Sequence, residues 1–298
     1  MSNVQSDAPR WFASALACPV EVGQVDVAGA QIRYRAWGPT GSPGIVLVHG
    51  GAAHSRWWDH VAPMLATGRR VVALDLSGHG DSDSREHYGL EQWAEEALAV
   101  AKPAGISGPP VFVGHSMGGM VSYVAAQLFG EDLAGVQLID SPIRAQTPEE
   151  EAARQQRAFG PKKVYPSKAD ALAHFRFVPP QESAVPAVRD HVAETSMQGV
   201  EGGWSWKFDP AFFARSGSDR LVAAEPRCRI AYFRAENGIV DEEMMKTIRA
   251  RFGPTALVTD IPDAGHHVMI DQPLALVVGI RTVLASWGAE DSVTGMPD

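Results

Sequence analysis

The stretch Val-Phe-Val-Gly-His-Ser-Met-Gly-Gly, residues 111–119, decides how the rest of the chain is interpreted. Its first five residues are typical of a buried strand, and a helix-like segment runs from Met117 to Phe129. At so tight a strand-to-helix turn a serine takes strained backbone angles, and only small residues fit at positions 114 and 118. The Ser116 hydroxyl then projects above the sheet edge, near a helix N-terminus that favours negative charge. We therefore predict that Ser116 is a nucleophile.

Similar apolar runs alternate with helix-like segments in the first half of the chain, after a predicted hairpin at Val20–Val27 and Gln31–Trp37. The predicted strands are Gly44–His49, Val71–Leu76, Val111–His115 and Gly135–Asp140, and the helices between them are His54–Leu65, Leu90–Ala101 and Met117–Phe129. The alternation resumes near Pro226 with strand Arg229–Phe233, helix Asp241–Arg251, strand Ala256–Ile261 and helix Pro273–Trp287. This order predicts a mainly parallel sheet with its functional site at the C-terminal ends of the strands.

The alternation stops between the two halves. We expect an α/β core formed by residues 1–143 and 226–298 and a mostly helical cap formed by residues 144–225. The cap contains an aromatic stretch, Trp204-Ser205-Trp206-Lys207-Phe208. Its rings are candidates to line a substrate pocket, although packing under a lid is the more common use of such residues. Arg144 is a candidate for binding an anionic substrate group, and an exposed arginine opening a helix is the alternative.

Two further loops carry residue types that acyl transfer requires. His49-Gly50-Gly51-Ala52 follows a strand, and glycines let its backbone approach a substrate closely. We assign the two oxyanion donors to the N–H groups of Gly51 and Met117, with Ala52 in place of Gly51 if the loop is shifted by one residue. Ala264-Gly265-His266-His267 follows the last strand, where either histidine is placed to act as a general base.

These motifs, together with the loop Asp75–Ser82, resemble in order and spacing the α/β-hydrolase superfamily, and in particular its capped hydrolases of small molecules. The resemblance covers about residues 20–143 and 226–288. It implies a mostly parallel eight-stranded sheet with helices on both faces and a helical cap. It also implies that the base is the histidine directly after the glycine, His266. Members of the superfamily include esterases, lactonases, amidohydrolases and carbon–carbon bond hydrolases.

The chain departs from the family pattern at the triad acid. The usual acid, in the turn after the next-to-last strand, aligns with Asn237, which cannot carry the charge that stabilises an imidazolium. Some family members take the acid from the end of the strand after the nucleophile helix, where this chain has Asp140. We predict that Asp140 is the acid. Glu236, one residue off in the usual turn, and Asp241, expected to cap the next helix, are the competitors.

The composition excludes several classes of partner. The net charge of −9 and the scattered basic residues argue against nucleic acid and anionic membranes, and no apolar run approaches the ~20 residues that span a bilayer. The two cysteines, Cys18 and Cys228, form no zinc or disulfide pattern, so we expect no metal and no organic cofactor. The apolar stretch Trp11–Ala17 fits a short helix better than a signal peptide, which favours the cytoplasm. The choice between monomer and homodimer stays open.

The leading hypothesis is a serine hydrolase that cleaves a small organic ester, lactone or amide through an acyl-enzyme, with Ser116, His266 and Asp140 as its triad. Because haloalkane dehalogenases and epoxide hydrolases need a carboxylate nucleophile, Ser116 excludes both activities. Two alternatives remain: a carbon–carbon bond hydrolase or lyase that uses the same residues, and a catalytically lapsed homologue that binds a ligand.

Overall fold

The structure, a computed structural model, describes residues 8–144, 149, 162–212 and 224–294. Its strands are β1 (Glu21–Val27), β2 (Ala30–Trp37), β3 (Gly44–Val48), β4 (Arg70–Leu74), β5 (Val111–His115), β6 (Gly135–Ile139), β7 (Met197–Val200), β8 (Gly203–Trp206), β9 (Ile230–Asn237) and β10 (Leu257–Gly265). Eight of them form one sheet in the order β1-β2-β4-β3-β5-β6-β9-β10. Strand β2 is antiparallel to both of its neighbours, and every pair from β4 to β10 is parallel. The predicted eight-stranded, mostly parallel sheet is confirmed.

Helices cover both faces of this sheet, which explains why every residue of β3, β4, β5 and β6 is buried. The helices of the described residues are α1 (Arg10–Leu16), α2 (Ala62–Leu65), α3 (Leu90–Ala99), α4 (Met117–Leu128), α5 (Lys168–Ala173), α6 (Pro186–Thr195), α7 (Glu242–Phe252), α8 (Val268–Asp271) and α9 (Pro273–Thr294). One apolar core unites side chains of α3, α4 and α7 on one face, and a second unites side chains of α1, α2 and α9 on the other. The chain therefore has the three-layer architecture that the strand–helix alternation predicts.

The order of the strands places a crevice at the C-terminal ends of β3 and β5. The chain first adds β4 on one side of β3 and then β5 on the other, so that β3 and β5 are neighbours, with Val48 opposite Gly114. Ligands of open α/β sheets bind where the strand order reverses in this way. The loop that begins at His49 and the turn at Ser116 both leave the sheet at this point.

The segment between β6 and β9 is only partly helical. It contains α5, α6 and an antiparallel hairpin formed by β7 and β8, so the segment predicted to be a mostly helical cap also contains two strands. The hairpin turns at Glu201-Gly202, where Gly202 has a φ of 83° that glycine adopts without strain. Residues 145–148, 150–161 and 213–223 of the predicted cap lie outside the described residues.

The predicted helix His54–Leu65 is interrupted in the structure. A 3₁₀ turn covers Ser55–Trp58, and α2 begins only at Ala62. Pro63, in the first turn of α2, has no N–H to donate to a carbonyl of the preceding turn, so a continuous helix would lose a hydrogen bond there. A continuous helix and this interrupted one have the same apolar spacing, so the spacing alone led to a wrong prediction.

Helix α4 lies against the end of β3 without side chains between them. A Cβ atom placed on Gly118 would lie 2.3 Å from the carbonyl oxygen of Val48 and 2.4 Å from that of His49. Both contacts are with backbone, so no rotamer change relieves them. Glycine at this position therefore sets the distance between the nucleophile helix and the neighbouring strand.

Gly118→Ala is expected to destabilise the protein by at least the ~1–3 kcal/mol typical of overpacking in a core. The matched control is Gly288→Ala in α9, where the added methyl meets no atom within 4 Å. Because alanine is the better helix former by ~0.8–1 kcal/mol, this control is expected to be neutral or stabilising. Urea denaturation measures both free energies of unfolding. A Gly118→Ala protein as stable as the wild type would contradict the proposed contact.

Candidate active site

The backbone at Ser116 has the strained conformation expected of a nucleophile elbow. Ser116 joins β5 to α4 with φ 53° and ψ −119°, a region that non-glycine residues rarely adopt. Its N–H donates to the carbonyl of Ile139 at 3.0 Å, which ties the turn to strand β6. A Cβ on Gly114 would lie 2.2 Å from the carbonyl oxygen of Gly118. Both flanking glycines are thus required by close backbone contacts.

A chain of short hydrogen bonds joins Ser116 to a buried carboxylate. The Ser116 Oγ lies 3.0 Å from His266 Nε2, and His266 Nδ1 lies 2.7 Å from Asp140 Oδ2. A carboxylate accepts hydrogen bonds only, so Nδ1 carries the proton and Nε2 is free to accept one from the serine. Asp140 is fully buried and His266 nearly so, whereas Ser116 is half-buried. The structure thus brings these three predicted residues together.

The turn after β9 surrounds the Asp140 carboxylate. Asp140 itself follows β6 with a φ of 42°, and its Oδ2 accepts the N–H of Ile239 at 2.9 Å. A Cβ on Gly238 would lie 2.2 Å from that same oxygen, so a larger residue at 238 would displace the carboxylate. The backbone donor compensates for burial of the charge, because a buried carboxylate is costly unless it is paired and hydrogen-bonded.

The competing acids have other partners. Glu236 accepts the backbone N–H of Asp263 at 2.8 Å through Oε2, and its side chain is exposed. Asp241 caps α7, as expected, by accepting the N–H of Met244 at 2.8 Å. Asn237 ends β9 opposite Gly265 and is also exposed. Among these candidates, only Asp140 is hydrogen-bonded to His266.

The loop after β3 lies beside the nucleophile. A Cβ on Gly50 would lie 3.3 Å from the Cβ of Ser116, so the loop and the elbow are in van der Waals contact. Neither Gly51 nor Ala52 donates its N–H in any hydrogen bond found among the described residues. Met117 opens α4, and the first N–H groups of a helix have no partner within it. The geometry leaves both predicted donors, and Ala52 as the alternative, available to an oxyanion.

His49, to which the sequence analysis assigned no role, holds this loop in place through hydrogen bonds. Its Nδ1 lies 2.7 Å from the carbonyl oxygen of Gly50, and its Nε2 accepts the N–H of Leu76 at 3.0 Å. The ring therefore connects the loop after β3 to the end of β4. Burial lowers the pKa of His49 to about 4, so it stays neutral and keeps this pair of hydrogen bonds at neutral pH.

His267 has a structural environment rather than a catalytic one. Its ring packs against those of Trp57 and Phe177, with centroid distances of 5.3 Å in both cases. Its backbone N–H donates to the side-chain oxygen of Gln181 at 2.8 Å. Burial lowers its pKa to about 3, which leaves it neutral. Of the two adjacent histidines, His266 is the one that reaches Ser116.

The histidines also form the candidate metal-binding group among the described residues. Ligand atoms of His115, His266 and His267 lie within 4.8 Å of one another. However, both ring nitrogens of His266 are engaged by Asp140 and Ser116, and Nε2 of His115 lies 2.8 Å from the carbonyl of His266. A metal ion would have to displace the hydrogen bonds that align the His266 ring, so His266 fits hydrogen bonding better than ligation.

A cavity of about 350 Å³ extends from the loop after β3 towards the segment between β6 and β9. Its lining includes Gly51 and Ala52 but not Ser116 itself. The other lining residues are Trp57, Lys162, Lys163, Tyr165, His174, Phe175, Arg176, Phe177, Val178, Ser196, Trp206, Phe208 and Pro210. Most of these residues come from the segment that lacks strand–helix alternation, so the sequence pattern gave no signal for them apart from the aromatic stretch that contains Trp206 and Phe208.

The structure separates the predicted substrate-contacting residues. Trp206 and Phe208 line the cavity, whereas Trp204 and Arg144 do not. Trp204 lies two residues nearer to the hairpin turn, where the Lys168 ammonium is 5.7 Å from its ring centroid. Its position beneath Lys168 places it against α5 instead of the cavity. The contact of Trp204 and Arg144 with a substrate therefore stays a prediction.

Comparison with known proteins agrees with this architecture. A family model described as the alpha/beta hydrolase family matches residues 45–280. The chain is 26% identical to an esterase of Mycobacterium tuberculosis over 83% of its length and 84% of that protein, and 26% identical to an sn-1-specific diacylglycerol lipase of Mus musculus over 82% and 81%. The solved structure of E-2-(acetamidomethylene)succinate hydrolase shares the fold, with a TM-score of 0.77 and 20% identity over 90% of this chain and all of that one.

The chain belongs to the alpha/beta hydrolase family, and it is a hydrolase. Within the described residues, no helix has the length and apolar character needed to cross a membrane.

Six buried histidines, three of them beside the site, predict a loss of stability in acid. Burial lowers the pKa values of His49 and His60 to about 4 and that of His267 to about 3, and it also lowers those of His54, His79 and His115. Below the usual histidine pKa of about 6.5, the unfolded chain therefore binds protons that the folded protein excludes. The free energy of unfolding is expected to fall as the pH falls from 6.5 to 5.

His60→Gln tests this dependence away from the triad. The variant is expected to reduce the slope of the unfolding free energy against pH by about 1 kcal/mol per pH unit, since one such histidine is gone. Carboxyl groups with raised pKa values, such as Asp75 and Glu96, oppose the trend equally in both proteins and cancel in the comparison. Urea denaturation at several pH values measures the slope, and an unchanged slope would show that His60 protonates in the folded state.

Proposed function

We propose that the chain is a serine hydrolase that cleaves a small organic ester, lactone or amide through an acyl-enzyme. The observation that carries the proposal is the continuous hydrogen-bonded series from Ser116 through His266 to the buried Asp140. The similarity to an esterase and a lipase over most of each chain supports an ester-type acyl bond as the substrate.

In the proposed first step, the Ser116 oxygen attacks the acyl carbon while its proton passes to His266 Nε2. Asp140 fixes the proton on Nδ1 and stabilises the imidazolium that forms. When the tetrahedral intermediate collapses, the bond to the leaving group breaks and His266 returns the proton to the departing oxygen or nitrogen. Water then attacks the acyl-enzyme by the same route. The acid is released, and the proton returns to Ser116.

The negative charge that develops on the acyl oxygen needs two donors. We assign them to the N–H groups of Gly51 and Met117, because both amides border the elbow and neither donates within the described structure. The N-terminus of α4, a 12-residue helix, adds a favourable dipole at the same position. Ala52, whose φ of 58° turns the loop, is the alternative to Gly51.

We further propose that residues 144–225 act as a cap over this site. The described part of the segment supplies most of the cavity wall, including Tyr165, Phe177 and Trp206. It also contacts the core directly, because the N–H of Gly80 donates to the carbonyl oxygen of Lys207 at 2.7 Å. Such a wall excludes water from the acyl group and strengthens the electrostatic interactions around it.

A fluorophosphonate probe is expected to label the wild-type protein at Ser116, because only an activated serine attacks it readily. Ser116→Ala is expected to abolish labelling and turnover while the protein stays folded. Ser122→Ala, in the same helix with its hydroxyl bonded to the Gly118 carbonyl, is the matched control and should keep labelling. Peptide mapping by mass spectrometry locates the label. A folded wild-type protein that does not label would instead be a ligand-binding homologue.

Asp140→Asn is expected to lower kcat by up to ~10⁴-fold, because an amide at this position favours the wrong tautomer of His266. Glu236→Gln is the matched control: it makes the same chemical change at the competing acid and should leave kcat nearly unchanged. Initial rates on an aryl ester over a range of concentrations separate kcat from KM. Equal losses in the two variants would remove Asp140 from its assigned role.

A further inference from the structure

All the charged side chains that line the cavity are basic. Lys162, Lys163 and Arg176 line it, His174 lies beside them, and no carboxylate of the described residues does. This local excess of positive charge is opposite in sign to the net charge of the chain, which has 35 acidic and 26 basic residues. Charge of one sign in a cleft with apolar walls attracts ligands of the other sign.

The cavity is apolar at its inner end and basic at its outer end. The rings of Trp57 and Phe177 are buried at its inner end, whereas Lys162, Lys163 and Arg176 are exposed to solvent. A ligand that fills the cavity therefore has an apolar, ring-sized body inside and its polar end at the mouth. An anionic group placed there keeps part of its hydration while it meets the three cations.

Neighbouring carbonyls hold the Arg176 guanidinium in place, and a hydrogen bond fixes the backbone of Lys163. The Arg176 Nη1 donates to the carbonyl oxygens of Ala173 and Phe175 at 3.0 and 2.6 Å, which anchors the guanidinium at the end of α5. Both acceptors are neutral, and the other guanidinium donors have no acceptor among the described residues. The carbonyl oxygen of Lys163 accepts the Ser205 hydroxyl at 2.7 Å, which fixes that residue against the hairpin.

Lysines of the same segment that lie away from the cavity are neutralised. The ammonium of Lys168 pairs with Glu194, and that of Lys207 pairs with Asp81. Lys162 and Lys163 form no such pair with any described residue. Among the described lysines of this segment, the two without such a pair are therefore those at the mouth of the cavity.

We propose that the mouth of the cavity is a subsite for the carboxylate of an anionic substrate whose apolar body lies against the aromatic rings. The proposal rests on the serine hydrolase function and names its substrate class: an ester, lactone or amide with a carboxylate remote from the scissile bond. Arg176 binds the carboxylate through its free guanidinium donors, and the two lysines add attraction that salt weakens.

Two pairs of esters matched in shape test the proposal. In the first, 4-acetoxybenzoate is compared with 4-acetoxybenzamide, so that the charge lies on the leaving group. In the second, monophenyl glutarate is compared with its primary amide, so that the charge lies on the acyl group. We expect kcat/KM to favour the anionic member of one pair by about tenfold, mainly through KM, and about 0.5 M KCl to reduce the preference. The responding pair shows on which side of the scissile bond the carboxylate lies.

Arg176→Gln is expected to remove most of this preference. Lys246→Gln on α7, far from the cavity and paired with Glu243, is the matched control and should keep it. Calorimetric binding of the same pairs to Ser116→Ala protein gives dissociation constants without turnover. Equal affinity for the anionic and neutral members would overturn the subsite even if esters are hydrolysed. Absence of hydrolysis and of Ser116 labelling, with anion preference in binding retained, would overturn the catalytic proposal and leave the subsite in place.

Discussion

The left-handed backbone of Ser116 is held by contacts on both sides of the turn. Its N–H donates to Ile139 in the neighbouring strand, and the glycine at 118 brings α4 against the carbonyls at the end of β3. A non-glycine residue in such a conformation costs roughly 1–3 kcal/mol, so it persists only where the surrounding packing determines it. That packing places one side chain at the crevice between β3 and β5, within reach of loops from three other strands. The loop at Gly50, the carboxylate after β6 and the histidine after β10 all meet at this point.

The site was predictable from the sequence where local pattern and chemistry coincide. The glycines around Ser116 and the single glycine before His266 mark turns with special backbone requirements, and the turn at Ser116 follows a strand that is mostly apolar and buried throughout. The cap offered no such signal. The β7–β8 hairpin has the alternation of a strand pair. An aromatic stretch such as Trp204–Phe208 is equally compatible with packing under a helix, so the sequence did not distinguish the two. Contacts between Trp206, Phe175 and Tyr165 depend on tertiary structure that no local period encodes.

In the proposed triad the acid follows β6 instead of β9, so one electrostatic requirement can be met from either of two strands. Strands β6 and β9 are parallel neighbours, so their C-terminal ends lie side by side and a carboxylate after either one can reach the same imidazole. In that arrangement the backbone of β9 and of the turn after it does not supply the charge but donates hydrogen bonds to it, from Ala235 and Ile239. This exchange explains why residue 237 is an exposed asparagine and why residue 238 has no side chain.

In the proposed function, the chain divides chemistry and recognition between its two parts. Residues of the core form the hydrogen-bonded series at Ser116, whereas residues between β6 and β9 supply the aromatic walls and basic mouth of the cavity. The net negative charge does not prevent such a mouth from attracting anions, because salt screens charges beyond about 8–10 Å while groups at the mouth act at contact distance. On this proposal, substitutions at the mouth change which substrates are bound without disturbing the elbow, whose geometry depends on backbone contacts made within the core.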